Sequence, residues 1–191
     1  MQKNRLEAFS DGVLAIIITI MVLELRAPHE ATWEGLKDQL PIFCSYLLSF
    51  VYVAIYWNNH HHMLHTVHHV NGPVLWANIH LLFWLSLIPF TTSWMGEHPL
   101  SSVTGVVYGF SLLMSAVAYM VLQNTIIRSQ GEGSVLRQAT GKDFKGKISP
   151  VLYIAGILLS LVQPLLGDLM YVLVALMWLI PDRRIEKTLP H

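Results

Sequence analysis

The sequence predicts an all-α polytopic membrane protein, with six transmembrane helices in a single domain over residues 1–191, and three observations carry that prediction. The first is composition. Hydrophobic residues make up 53% of the chain and charged residues only 13%, against roughly 25% charged in a typical soluble domain. A soluble chain of 191 residues cannot hide that much apolar side chain, because too large a share of a small domain is surface. The second is length. Six apolar stretches approach the roughly 20 residues a helix needs to cross a bilayer core about 30 Å thick, and helix is the expected form because lipid offers backbone groups no water. The third is the distribution of charge, which follows from the order of the spans.

The first span runs from about Phe9 to Leu25 and is rich in isoleucine. Its approach is basic, but Asp11 interrupts it and no small-x-small cleavage site follows Leu23, so it is expected to be a retained helix and not a signal peptide. The second covers about Leu40 to Trp57 and is expected to continue as helix through the histidines; the third lies between Pro73 and Trp94, and the fourth between Val103 and Ile127. The stretch from Arg128 to Lys147 is hydrophilic, carries four glycines and reads as a loop. The fifth span is expected from about Ile148 to Leu166. After Gly167-Asp168 a short sixth runs from Leu169 to Ile180 and stops at Pro181. With the N-terminus inside, the inner segments hold Lys3, Arg5, Arg128, Arg137, Lys142, Lys145, Lys147, Arg183, Arg184 and Lys187, and the outer loops only Arg26 and Lys37. Ten against two is a strong positive-inside bias and puts both termini in the cytoplasm.

Several classes are excluded early. Cys44 is the only cysteine, so no disulfide framework forms within the chain. Twelve Lys+Arg balance twelve Asp+Glu, and no basic excess points to nucleic acid. The stretch Thr104 to Phe110 looks superficially like a potassium-channel filter, but its order is wrong and no short re-entrant helix precedes it.

Function is most legible in the first span. A carboxylate at membrane depth is costly, which makes Asp11 a candidate functional residue that needs a partner. At about 100° per residue, Gly12, Ile16, Thr19, Ile20 and Leu23 share one face, while Ser10 and Asp11 point away from it. From spacing alone, ordinary helix packing accounts for the stripe and a buried hydrogen-bond knot for the polar pair.

The motif Arg5-x-x-x-Phe9-Ser10-Asp11 followed by an isoleucine-rich helix resembles the signature of the lysosomal transmembrane potassium channel family and its bacterial homologues. The second span agrees, with Ser45 to Phe50 and Trp57-Asn58-Asn59-His60-His61. So do Asn78 and Leu87 to Phe90 in the third, and the Asp182-Arg183-Arg184 ending. The resemblance covers essentially the whole chain. It implies a bacterial six-helix subunit of the cell (inner) membrane, assembled with three copies of itself as a homotetramer around a pore lined by the first helix. Bulky apolar rings would then serve as gate and filter, at Ile16, Thr19 and Leu23 by position after the motif. It also implies that Arg5, Ser10 and Asp11 hold that helix against its neighbours through Trp57, His60 or His61, and Asn78. Modest selectivity for potassium is expected, with membrane lipid as surroundings and no cofactor beyond potassium as permeant ion.

Two rival readings rest on other residues. His60, His61, His62, His65, His68 and His69 crowd the end of the second span. His61, His65 and His69 fall at i, i+4 and i+8, a spacing able to bind zinc, and His65-x-x-His68-His69 matches a histidine box of membrane di-iron enzymes. Such enzymes use several boxes, and His29, His80, His98 and His191 form none, so an enzyme ranks last; no metal ligand is assigned, and adventitious metal binding by the cluster stays an alternative. The cluster is also a candidate pH-sensitive patch, since histidine changes charge near neutrality. A proton-coupled secondary transporter using Asp11 ranks second. Such proteins break helices at mid-membrane, whereas Pro41, Pro73, Pro150 and Pro181 lie at span ends and Pro89 and Pro164 nearer ends than middles.

Overall fold

A computed structural model describes residues 3–67, 69–140 and 143–179, and among them every regular element is helical. Nine α-helices follow in order: α1 (Lys3–Leu23), α2 (Trp33–Asp38), α3 (Leu40–His65), α4 (Gly72–Ser86), α5 (Ile88–Glu97), α6 (Ser102–Gln130), α7 (Val135–Thr140), α8 (Phe144–Val162) and α9 (Pro164–Leu179). Five membrane-length apolar segments result: α1, α3, the α4–α5 pair, α6 and α8. Helix α9 is apolar but only 16 residues long within the described residues. The chain is a multi-pass, all-helical membrane protein. The Asp182-Arg183-Arg184 ending, Lys142, Lys187, His68, Pro181 and His191 lie outside the described residues.

Local chemistry sets the helix ends. Asn71 and Asp143 cap α4 and α8 by accepting the backbone N–H of Val74 and Gly146, at 3.0 Å each. Pro41 and Pro73 sit in first turns, where a missing N–H costs nothing. Helix α6 stops at Gly131, whose φ of 71° is open to a residue without Cβ. The loop expected over Arg128 to Lys147 holds more structure than its glycines suggest. It begins with the last turn of α6, contains a 3₁₀ turn (Gly131–Gly133) and α7, and ends in the first turn of α8.

Two boundaries differ from expectation, both because of proline. The third span breaks at Leu87, fifteen residues in. Pro89 has no N–H to offer the carbonyl one turn back, so Leu87 N–H bonds Trp84 C=O in a tighter turn and Thr91 N–H resumes the ladder on Leu87 C=O, both at 3.2 Å. Leu87 keeps a helical φ of −86° and ψ of −12°, so the chain continues in helical form through the break. The boundary between fifth and sixth spans lies at Gln163-Pro164, not Gly167-Asp168. Pro164 opens α9, and Gly167 and Asp168 fall inside it. Gly167 is there for packing: a Cβ would lie 2.8 Å from the Gly156 carbonyl oxygen of α8.

Helix α1 packs on α3, α4 and α5, while α8 and α9 pack on each other and on α6. The core is apolar, with Leu6, Val53, Leu64, Leu81, Leu112 and Val174 fully buried. A set of buried hydroxyls ties α3, α5, α6 and α9 together. Thr92 Oγ1 donates to Ser49 Oγ at 2.7 Å, Ser49 pairs with Tyr108 at 2.9 Å, Tyr52 donates to Tyr171 C=O at 2.6 Å, and Tyr171 to Gly105 C=O at 3.0 Å. Each satisfies a polar group that lipid and core alike leave without water.

Candidate functional site

Helix α1 presents two faces of different chemistry. Leu6, Ser10, Leu14, Ile17 and Met21 are buried against the rest of the subunit. On the other side, Arg5, Phe9, Gly12, Ile16, Thr19, Ile20 and Leu23 are uncovered, with Ile16 60% and Leu23 73% exposed. A Cβ added at Gly12 would meet nothing within 4 Å. The five stripe residues expected from spacing, Gly12, Ile16, Thr19, Ile20 and Leu23, thus lie on one open face. Thr19 Oγ1 donates its proton to Ala15 C=O at 2.8 Å, which leaves the hydroxyl lone pairs free for another partner. Ala8 and Ala15 are also exposed.

The polar side of α1 is held in two ways. The first is a buried relay across three helices. His60 Nε2 lies 2.7 Å from Asn78 Oδ1, Asn78 Nδ2 donates to Ser10 Oγ at 2.9 Å, and Ser10 Oγ donates to Leu6 C=O at 2.8 Å. Because the Asn78 oxygen can only accept, His60 carries its proton on Nε2. Its Nδ1 is then a buried acceptor, and it has no hydrogen-bond partner among the described residues. The relay runs one way, from α3 through α4 to α1.

The second is a ladder between α1 and α3, which run antiparallel. Asp11 accepts from Trp57 Nε1 at 3.0 Å, Glu7 pairs with His61 Nδ1 at 3.0 Å, and Lys3 Nζ donates to His65 C=O at 3.2 Å. Steps of four up α1 match steps of four down α3, because residues four apart share a helix face. Trp57 also stacks on His61, with centroids 6.1 Å apart.

Of the residues expected to support the first helix, Ser10, Asp11, Trp57, His60, His61 and Asn78 are brought together. Arg5 and Phe9 are not: both are exposed on the open face, and Arg5 makes no hydrogen bond or ion pair among the described residues. The histidine stripe also differs from expectation. Helix α3 ends at His65, so His69 lies beyond it and does not continue the i, i+4, i+8 row. Glu7 and Lys3 were missed by sequence reasoning. The signal for Glu7 was its place one turn before Asp11, matching His61 one turn after Trp57.

Residues 5–89 match the family described as endosomal/lysosomal potassium channel TMEM175. A protein of Chryseobacterium named a potassium channel is 56% identical over 99% of this chain and 98% of its own length. One of Streptomyces collinus, also named a potassium channel, is 31% identical over 63% of each chain. The crystal structure of a lysosomal potassium-selective channel TMEM175 homologue from Chamaesiphon minutus superposes with a TM-score of 0.81 at 27% identity, covering 94% of this chain and 97% of that one.

Proposed function

The chain belongs to the TMEM175 potassium channel family, and from that premise we propose that it conducts potassium passively as a homotetramer whose central pore is lined by the open face of α1. The observation that carries the reading is a contrast between uncovered surfaces. From Val151 to Leu179 the exposed residues within α8 and α9 are all aliphatic, among them Val151, Ile154, Leu158, Leu169, Val172 and Leu176, as lipid requires. The open face of α1 instead interleaves Ile16 and Leu23 with Gly12, Thr19 and the alanines Ala8 and Ala15. Small residues permit close approach of helices around an axis.

Four copies of Ile16 and Leu23 then make two apolar rings that gate by dewetting, and Thr19 makes a ring of hydroxyl acceptors between them. No acid lies on this face between Phe9 and Leu23, so selectivity comes from pore radius and weak polar contacts. Potassium over sodium, with modest discrimination, is the consequence. The relay and ladder act as supports that fix the rotation of α1. In this reading both termini face the cytoplasm of a bacterial cell, which the concentration of Lys and Arg in the N-terminal, Arg128 to Lys147 and C-terminal segments supports.

The test is a reversal potential in planar bilayers with potassium on one side and sodium on the other. Single-channel current reversing toward the potassium equilibrium potential is expected. Absence of conductance together with uptake that collapses with the proton gradient would overturn the channel reading in favour of a transporter centred on Asp11.

A further inference from the structure

Where α1 and α3 meet at their inner ends, Glu7, His61 and His65 converge. One ligand atom from each lies within 4.8 Å of the other two. The closest pair, Glu7 Oε1 and His61 Nδ1, is already at 3.0 Å, and the rings of His61 and His65 meet edge to face at 4.5 Å. Ligands of a tetrahedral zinc ion lie about 3.3 Å apart, given metal–ligand bonds of about 2.0–2.1 Å.

We propose that Glu7, His61 and His65 form a binding site for a divalent transition metal of the zinc class, bridging α1 to α3. Two imidazoles and a carboxylate are a set that suits such an ion and leaves a fourth position for water. The donors come from two different helices, so binding joins them and does not merely decorate one. The second shell supports the arrangement. Trp57 stacks on His61 and is itself fixed by Asp11, which holds the imidazole plane facing Glu7. The site is neither sealed nor open. Glu7 is 19% and His61 38% exposed by side chain, and His65 stands at the exposed end of α3, which gives an ion a path from the cytoplasmic side. Among the described residues the ring nitrogens of His65 make no hydrogen bond, so ligation removes no contact there. Among the described residues Lys3 stands nearby with its Nζ on the His65 carbonyl, and the Glu7 carboxylate pairs with His61.

The binding claim stands apart from the channel reading; its effect on potassium flux rests on that reading, since the helix being clamped is the one that would line the pore. Zinc titration calorimetry on the purified full-length protein in detergent, without a polyhistidine tag, tests the site. The wild type is expected to bind one ion per chain. Glu7→Gln and His65→Gln are each expected to weaken that binding by on the order of tenfold or more, while His69→Gln leaves it unchanged. Size-exclusion elution of each variant at the wild-type volume controls for folding. The proposal is overturned if the wild type binds no zinc. It is equally overturned if Glu7→Gln binds as tightly as wild type, because the ion would then sit on the histidines of α3 alone.

Discussion

The supports of α1 are individual hydrogen bonds, and the central one runs through Asn78. This amide accepts from His60 and donates to Ser10 at full burial, so it satisfies two helices at once. Asn78→Ala leaves the imidazole N–H without its acceptor and removes the donor to Ser10. The expected cost is about 1–3 kcal/mol, read as a lowered melting temperature of the detergent-solubilised protein with α-helix content unchanged. On the opposite face the expectation reverses. Ile16 and Leu23 contact little within the subunit, so Ile16→Ala and Leu23→Ala are expected to spare stability while raising single-channel conductance or relaxing selectivity. Unchanged permeation in the double variant would remove these positions from the pore. Ser10, Asp11 and the stripe were legible from the sequence because helix period alone separates their faces. Arg5 was misplaced for the same reason: the motif groups it with Ser10 and Asp11, yet its angle around the helix aligns it with Phe9 and Gly12 on the open side. Partners on other helices carry no such period. Glu7 could be matched to His61 only once α1 and α3 were known to run antiparallel.

Between helices, sequence patterning located the spans well and their breaks less well. Hydropathy registers apolar length, and it does not register whether a proline opens a new helix or bends an old one. Pro164 begins α9 after Gln163, whose extended φ of −145° and ψ of 100° ends α8. Pro150 is carried inside α8 near its start. What fixes the α8–α9 hairpin is a set of small residues. Gly156 lies under the Tyr171 ring, where a Cβ would come within 2.5 Å of Cε1, and Gly167 faces the Gly156 carbonyl. A Cβ at Gly167 would meet both the Ser160 hydroxyl and that backbone carbonyl, and the second clash cannot be relieved by a rotamer change. Gly167→Ala is therefore expected to destabilise by about 1–3 kcal/mol and to separate α8 from α9, measured by thermal melting. Gly72→Ala, at the first residue of α4, meets nothing within 4 Å and is the matched control. A Gly167→Ala protein melting with the control would mean that the hairpin does not need this contact.

At the scale of the whole molecule, α1 sits at one edge of the bundle, touching α3, α4 and α5, while α8 and α9 occupy another. The stripe of α1 faces outward from the subunit, and only symmetry turns an outward face into a lined axis. On the proposed reading, assembly is the step on which conduction depends, and the ladder to α3 sets the angle at which the stripe meets its copies. Asp11 is the rung nearest the stripe, accepting from Trp57, which is itself 47% exposed. Asp11→Ala leaves the Trp57 indole N–H without its acceptor and removes the rung of the ladder nearest the stripe. Native mass spectrometry from detergent micelles is expected to give a four-chain species for the wild type and a shift toward smaller species for Asp11→Ala. Trp57→Phe is expected to produce the same shift, because it removes the donor and keeps the ring. If both variants stay tetrameric, the ladder does not govern assembly, and the rotation of α1 must be set by the buried relay through Ser10, Asn78 and His60.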